Sequence, residues 1–301
     1  IIAGEPVTFS VTAEGTAPLA YQWLFEGIEI SGATATNYSI ASVSPTHAGG
    51  YSVRVSNAGG TNTSPSATLT VLVRPQIVEV RPALLTVPVG SNVVFIVTAT
   101  GSEPLQFRWL FNGGELNGAT GSSLGVGNAG VADSGSYRAV VTNAAGAVTS
   151  TVVTLVVRIP PAISGQPQNL TVTEGQDATF NVSVTGDSPL TLLWHVDGAP
   201  INGANGSSLT VPEVTSEDDG KTYWVVASND VGATLSAAAT LTVLTKPVLV
   251  NVVRLPDRAL SFSIDGQAGR NYWLEASTDF TTWGSVSETP FASGQTVIMN
   301  T

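Results

Sequence analysis

The 301-residue chain contains no cysteine. That removes disulfides, thiolate nucleophiles and cysteine-ligated zinc together. It leaves the compartment open, because a reduced cytosol and a disulfide-free surface fibre both tolerate the absence. Charge is scarce as well: 11% of residues are charged, the net charge is −11, and Lys221 and Lys246 are the only lysines. An acidic chain with no basic cluster repels phosphate backbones and anionic lipid, so no nucleic-acid partner is expected. No apolar run approaches the length of a bilayer span, which argues against membrane insertion within these residues. No signal-peptide pattern opens the chain. It starts on Ile1, consistent either with a processed precursor or with a piece of something larger.

Reactive groups are equally sparse. The two histidines, His47 and His195, have no second histidine nearby in sequence, and a histidine metal site needs that spacing. No helical pattern is present, so no glycine-rich phosphate loop opens a helix, and no serine is expected in a Gly-x-Ser-x-Gly elbow. The expectation is a non-enzyme without cofactors. The densest acidic run is Glu213, Glu217, Asp218 and Asp219. It has two readings, a weak calcium candidate, since Ca²⁺ collects several oxygens, or a solvated loop. The loop reading is preferred. An acid pair for glycoside hydrolysis would need a cleft of aromatic and polar groups.

What is abundant is strand and turn material: 43% hydrophobic residues with 31 glycines and 17 prolines, and an excess of Val, Thr, Ser and Ala. The fold class expected is all-β. A repeat of about 86 residues organises it. "GEPVTFSVTAEGTAPLAYQWLFEG", "GSNVVFIVTATGSEPLQFRWLFNG" and "GQDATFNVSVTGDSPLTLLWHVDG" align without a gap, placing Trp23, Trp109 and Trp194 at 86- and 85-residue intervals. Each copy alternates with period two, as half-buried strands do. Each then turns through "THAGGYSVRVSNAGG", "DSGSYRAVVTNAAG" or "DDGKTYWVVASNDVG", a tyrosine-led strand followed by an Asn-containing hairpin turn, where positive φ is tolerated. A Thr/Val strand closes each copy.

The tryptophan, the Asp-x-Gly ahead of a tyrosine and the spacing make the chain resemble tandem bacterial immunoglobulin-like domains of the I-set type. The resemblance covers roughly residues 1–245. It implies Greek-key sandwiches with Trp23, Trp109 and Trp194 in the cores and Tyr51, Tyr137 and Tyr223 as tyrosine corners. The family's cysteine positions hold Val11 and Val53, Val97 and Ala139, and Val182 and Val225. A bridge there would contribute about 2–5 kcal/mol, and a fully buried valine about 1.5–3 kcal/mol, so packing can replace it. His47 stands where the corner motif has Asp, which marks the first corner as the least secure; in the third copy Asp218 and Gly220 lie one residue further from Tyr223.

The expected domains are 1–73, 74–158 and 159–245, followed by a small β domain over 246–301. In that last stretch "GRNYWLEASTDFTTW" resembles the β domain that often follows such repeats in bacterial surface proteins. Copies two and three open with a lead strand, "RPQIVEVRPALLTVPVG" and "PPAISGQPQNLTVTEG", whereas copy one has only "IIAG". Either upstream residues or another chain supplies that strand, and the far end also stops mid-pattern. Proline-stiffened junctions would set the sandwiches in a rod of about 100–150 Å.

Alternation along the third copy turns Leu193, His195 and Trp224 outward, and Trp273 and Trp283 are also left outside the assigned cores. This apolar surface could bind sugar or protein, or pack on the last segment or a neighbouring chain; packing is preferred. The overall expectation is an extracellular or cell-surface structural and adhesive protein: a stalk, an adhesin segment or a filament subunit. Its partners would be further copies of itself, another surface protein or a glycan, with subunits joined by strand addition. The alternative is a carbohydrate- or protein-binding region of a secreted enzyme.

Overall fold

The computed structural model describes residues 1–256, 259–267, 269–277, 281–282, 284–285, 290–292 and 296–299. They form strands and three short 3₁₀ turns, Pro45–His47, Val131–Asp133 and Ser216–Asp218. Two compact units divide the chain, Ile1–Arg158 and Ile159–Thr301.

The second repeat gives the pattern in full. Its larger sheet runs Gly114–Glu115, Gln106–Phe111, Gly135–Asn143, Val153–Arg158, Leu84–Pro88, and Gly146–Thr149 pairs with Gly135–Asn143. The smaller sheet runs Ser123–Val126, Val93–Thr100, Gln76–Arg81. Leu84–Pro88 lies parallel to Val153–Arg158, and the other pairs are antiparallel. The third repeat repeats this order, with Leu170–Thr173 parallel to Ala239–Leu244 and Ala162–Gly165 antiparallel to Ser183–Thr185. In the first repeat the parallel pair shrinks to a bridge between Ile2 and Leu72, and Val7–Ser10 pairs only with Asn37–Ile40.

Sequence periodicity becomes packing in the same way each time. Trp23, Trp109 and Trp194 are buried, and each indole N–H donates to a backbone carbonyl twelve residues on: Ala35 (3.0 Å), Gly121 (3.0 Å) and Gly206 (2.9 Å). A buried indole needs such a partner, because an unmade hydrogen bond in a core costs about 1–3 kcal/mol. Phe95 packs on Tyr137 with ring centroids 4.9 Å apart, Phe180 on Tyr223 at 4.6 Å and Phe9 on Tyr51 at 4.4 Å. Val97 and Ala139 share one core cluster, as do Val182 and Val225; Val53 is buried beside half-buried Val11. Small and branched side chains therefore close the interior where a disulfide would otherwise stand.

The hairpin leaving each tryptophan strand turns at Glu26-Gly27, Asn112-Gly113 or Asp197-Gly198, with positive φ at both residues of every pair. That is the turn whose twist matches the flanking strands. The first side chain of each pair then accepts an N–H from the tyrosine strand: Gly50 to Glu26, Ser136 to Asn112 (2.9 Å), Thr222 to Asp197 (2.9 Å). The asparagine turn works differently from the expectation. Positive φ falls on Gly60 and Gly146, while Asn57, Asn143 and Asn229 accept an N–H two residues ahead on Oδ1, at 2.8, 2.9 and 3.1 Å. They are there for the side-chain amide, which makes a local turn of its own.

The corners also differ from what the sequence suggests. Tyr51 Oη donates to His47 O at 2.9 Å and Tyr137 Oη to Asp133 O at 2.8 Å. The bond uses a backbone carbonyl, so the change from Asp to His does not weaken it. His47 Nδ1 also replaces the carboxylate as acceptor, taking the Ser44 N–H at 2.9 Å, as Asp133 Oδ2 accepts Gly130 N–H (2.8 Å) and Asp218 Oδ2 accepts Thr215 N–H (2.9 Å). The third corner is the one that differs. Among the described residues Tyr223 Oη donates to no carbonyl of its turn, because the added residue carries the turn away. Lys221 Nζ binds Asp218 Oδ1 there at 2.8 Å instead.

Beyond Thr245, Val248–Arg254, Leu260–Asp265 and Thr296–Met299 form a three-stranded antiparallel sheet. Phe262, Ile264 and Val297 are its buried residues, with Tyr272, Leu274 and Phe291 against them. Gln267 Nε2 reaches back to the third repeat, donating to Val243 O (2.6 Å) and Asp219 Oδ2 (3.2 Å).

Candidate interaction face

The outward side of the larger sheet can be compared position by position, because strand register is the same in all three repeats. One cross-strand row holds Glu29, Leu24 and Ser52 in the first repeat, Glu115, Leu110 and Arg138 in the second, and Pro200, His195 and Trp224 in the third. The adjacent row holds Gln22, Arg54 and Thr63; then Arg108, Val140 and Thr149; then Leu193, Val226 and Leu235. In the first two repeats an arginine bridges the rows to a glutamate, Arg54 to Glu29 and Arg108 to Glu115 (3.8 Å). Leu24 and Val140 are buried in those repeats. Long cationic stems cover apolar surface while keeping the charge in water.

The third repeat has neither the arginine nor the glutamate. His195 and Trp224 stack across the strands with ring centroids 4.1 Å apart and planes 8° from parallel. His195 Nδ1–H donates to Leu193 O at 3.2 Å, which fixes the imidazole against the indole. Leu193 is 37% and Leu235 60% exposed, with Val226, His195 and Trp224 half-buried between them. Sequence alternation names Leu193, His195 and Trp224. It leaves unnamed Val226, which shares the parity of Trp224, and Pro200, which pairs with His195, and it misses Leu235, which surfaces only when the hairpin strand Gly232–Leu235 is aligned with its counterparts and leucine is seen to replace threonine.

Trp273 is 61% exposed on the C-terminal segment, and Trp283 lies outside the described residues. In the acidic run, Asp218 is engaged by Lys221 and Thr215. Asp219 Oδ1 accepts the Val243 N–H at 2.8 Å, and Glu213 sits at a turn with positive φ. Among the described residues no group of three or more His, Asp or Glu side chains is arranged to hold a metal. The hydrogen bond from Lys221 holds the Asp218 carboxyl below its ordinary range and raises the Lys221 ammonium. Burial raises the hydroxyls of Tyr51, Tyr137 and Tyr223. These are structural perturbations at turns and cores. The letters Gly-Ser-Ser-Leu-Gly at 121–125 spell a nucleophile motif, but Ser123 opens the strand Ser123–Val126 and no helix follows, so the strand-to-helix elbow is not formed.

Comparison with known proteins agrees with this architecture. Residues 75–157 match the immunoglobulin I-set domain model and residues 160–229 an immunoglobulin domain model. Endoglucanase C of Cellulomonas fimi is 33% identical over 177 residues, which is 56% of this chain and 16% of that protein. The mouse basement membrane-specific heparan sulfate proteoglycan core protein is 33% identical over 174 residues, 56% of this chain and 5% of that one. The chain thus spans a small fraction of these relatives' length. Among solved structures an I-band fragment of titin superposes with a TM-score of 0.60 at 25% identity, covering 80% of this chain and 94% of the fragment.

Proposed function

Because residues 75–157 and 160–229 are tandem immunoglobulin domains, we propose that the chain is a structural and adhesive segment of an extracellular or cell-surface protein. In this reading the first two repeats act as spacer and the third carries the contact, with another surface protein or a further copy as partner. The carrying observation is that Pro200, His195, Trp224, Leu193, Val226 and Leu235 fill the two rows across which each of the first two repeats carries an arginine–glutamate pair. A contiguous apolar patch ringed by polar strands is the usual mark of a protein-binding surface, where a few aromatic anchors carry most of the affinity. The proteoglycan relative is basement-membrane material by name, which supports an extracellular setting.

A second reading follows from the endoglucanase relative and the exposed Trp273: a carbohydrate-binding region of a larger enzyme. His195 covers one face of the Trp224 indole, so the more exposed Trp273 is the platform on which this reading rests. Attachment of Trp224→Ala and Trp273→Ala chains to protein-coated and polysaccharide-coated surfaces separates the two. The adhesive reading expects at least about tenfold loss on protein for Trp224→Ala, the scale of a hot-spot residue. Loss confined to polysaccharide with Trp273→Ala favours the second reading.

A further inference from the structure

The buried tryptophans of the first and third repeats are each held at two points to the chain beyond their hairpin. Trp23 N–H donates to Ala33 O (2.9 Å) and its indole N–H to Ala35 O (3.0 Å). Trp194 N–H donates to Ala204 O (3.0 Å) and its indole N–H to Gly206 O (2.9 Å). One residue lies between the two carbonyls, Thr34 in the first repeat and Asn205 in the third. Thr120 takes that place in the second repeat, just before Gly121, whose carbonyl receives the Trp109 indole at 3.0 Å. The next carbonyl is committed as well: Ser207 O accepts Val182 N–H at 2.9 Å, as Ser122 O accepts Val97 N–H at 2.9 Å. Residues 204 to 207 therefore form a strut whose length fits the spacing of its core contacts.

Of the three repeats, only the third sets an asparagine–glycine step in this strut. Asparagine is thermolabile because its side-chain amide carbon lies within reach of the next backbone nitrogen. A following glycine adds no Cβ to hinder the approach. Asn205 and Gly206 are both exposed. Among the described residues, neither the Asn205 side chain nor the Gly206 N–H makes a hydrogen bond. The other Asn-Gly steps are held differently. Asn112 has positive φ and accepts Ser136 N–H on Oδ1 at 2.9 Å. Asn117-Gly118 and Asn202-Gly203 lie in turns closed by Ala119 N–H to Leu116 O (3.2 Å) and Ala204 N–H to Ile201 O (3.1 Å).

We infer that Asn205 is a site of spontaneous chemical modification that loosens the core of the third repeat as the protein ages. The Gly206 nitrogen bonds to Asn205 Cγ and gives up its proton, the side-chain nitrogen leaves as ammonia, and a cyclic imide results. Water then opens the ring at either carbonyl. Opening at the side-chain carbonyl leaves an ordinary aspartate. Opening at the main-chain carbonyl leaves isoaspartate, in which the chain runs through Cβ and Cγ and is one carbon longer. That carbon enters between the carbonyls of Ala204 and Gly206, both of which bind Trp194, so one of the two bonds must stretch or break. The net change is amide plus water to acid plus ammonia, and it needs no oxidant or cofactor. Thr34 and Thr120 have no amide to lose, so the reaction singles out the third repeat. The inference stands on the tryptophan strut and is independent of the adhesive reading.

The test is to hold the full chain in mildly alkaline buffer, which speeds loss of the glycine N–H proton, and to follow residue 205 by peptide mapping and by enzymatic methyl transfer to isoaspartate. Isoaspartate should accumulate at 205. In chains that carry it, backbone amides around Trp194 should exchange at least about tenfold faster, the scale of one broken core hydrogen bond, with the first two repeats unchanged. Asn205→Thr, which copies Thr34 and Thr120, and Asn205→Gln should each keep their protection through the same treatment. Freshly prepared Asn205→Asp should match the untreated chain, because it adds the charge without the longer backbone. Residue 205 still an amide at the end of the treatment, or isoaspartate there with unchanged exchange around Trp194, overturns the inference. Equal loosening in Asn205→Asp overturns the role given to the longer backbone.

Discussion

The second and third repeats share a strand order, a buried tryptophan with the same indole hydrogen bond and a valine-rich interior, yet their outward faces differ at nearly every paired position. Arg108 reaches Glu115 on the neighbouring strand in one, where Val140 is buried; Leu193, Val226 and Leu235 lie beside a His195–Trp224 stack in the other. Interior positions are constrained by packing to native density, where a single methylene is felt. Exposed positions on a strand are not, so fold and function occupy alternate residues of the same strand. Trp194 and its neighbour His195 are one residue apart and belong to different problems.

Substitutions in the shared core should disturb the two repeats most. Trp109→Ala and Trp194→Ala should each destabilise their own repeat by about 3–5 kcal/mol, read as hydrogen exchange confined to that repeat, since a multi-unit chain has no single unfolding free energy. A much smaller change is expected from placing the second repeat's arginine–glutamate pair on the third. Leu193→Arg with Pro200→Glu should change the third repeat's stability by less than about 1 kcal/mol, because exposed ion pairs contribute little. The smallest change concerns acid. Asp218 has its carboxyl lowered by Lys221, so its contribution is complete above the ordinary aspartate range near about 4. It is lost as pH falls through the lower folded value. The third repeat should loosen more than the second below about pH 4, and Asp218→Asn should remove that extra sensitivity.

How far these features can be read in the sequence depends on how local their physics is. The tryptophan strands, the Glu-Gly, Asn-Gly and Asp-Gly hairpins and the all-β class show in alternation and spacing, because each is settled by neighbours in the chain. The outward set Leu193, His195 and Trp224 follows from the same parity. Asn143 and Asn229 do not, since each amide donates to a carbonyl 70 residues earlier, a contact with no local signature. His47 misleads for a related reason: its side chain looks wrong for the corner, but the tyrosine binds its carbonyl, and Nδ1 serves as the acceptor that Asp supplies elsewhere. Leu235 stays hidden until pairing sets it opposite Val226.

Whether the contact resides on the third repeat's face is decided by attachment of the full chain to a protein-coated surface, before and after Leu193→Arg with Pro200→Glu. Attachment should weaken at least about tenfold, as expected when hot-spot contacts are replaced by charge, with the third repeat's amide protection unchanged. Attachment retained in full by a chain whose third repeat now carries this arginine–glutamate pair would refute the assignment.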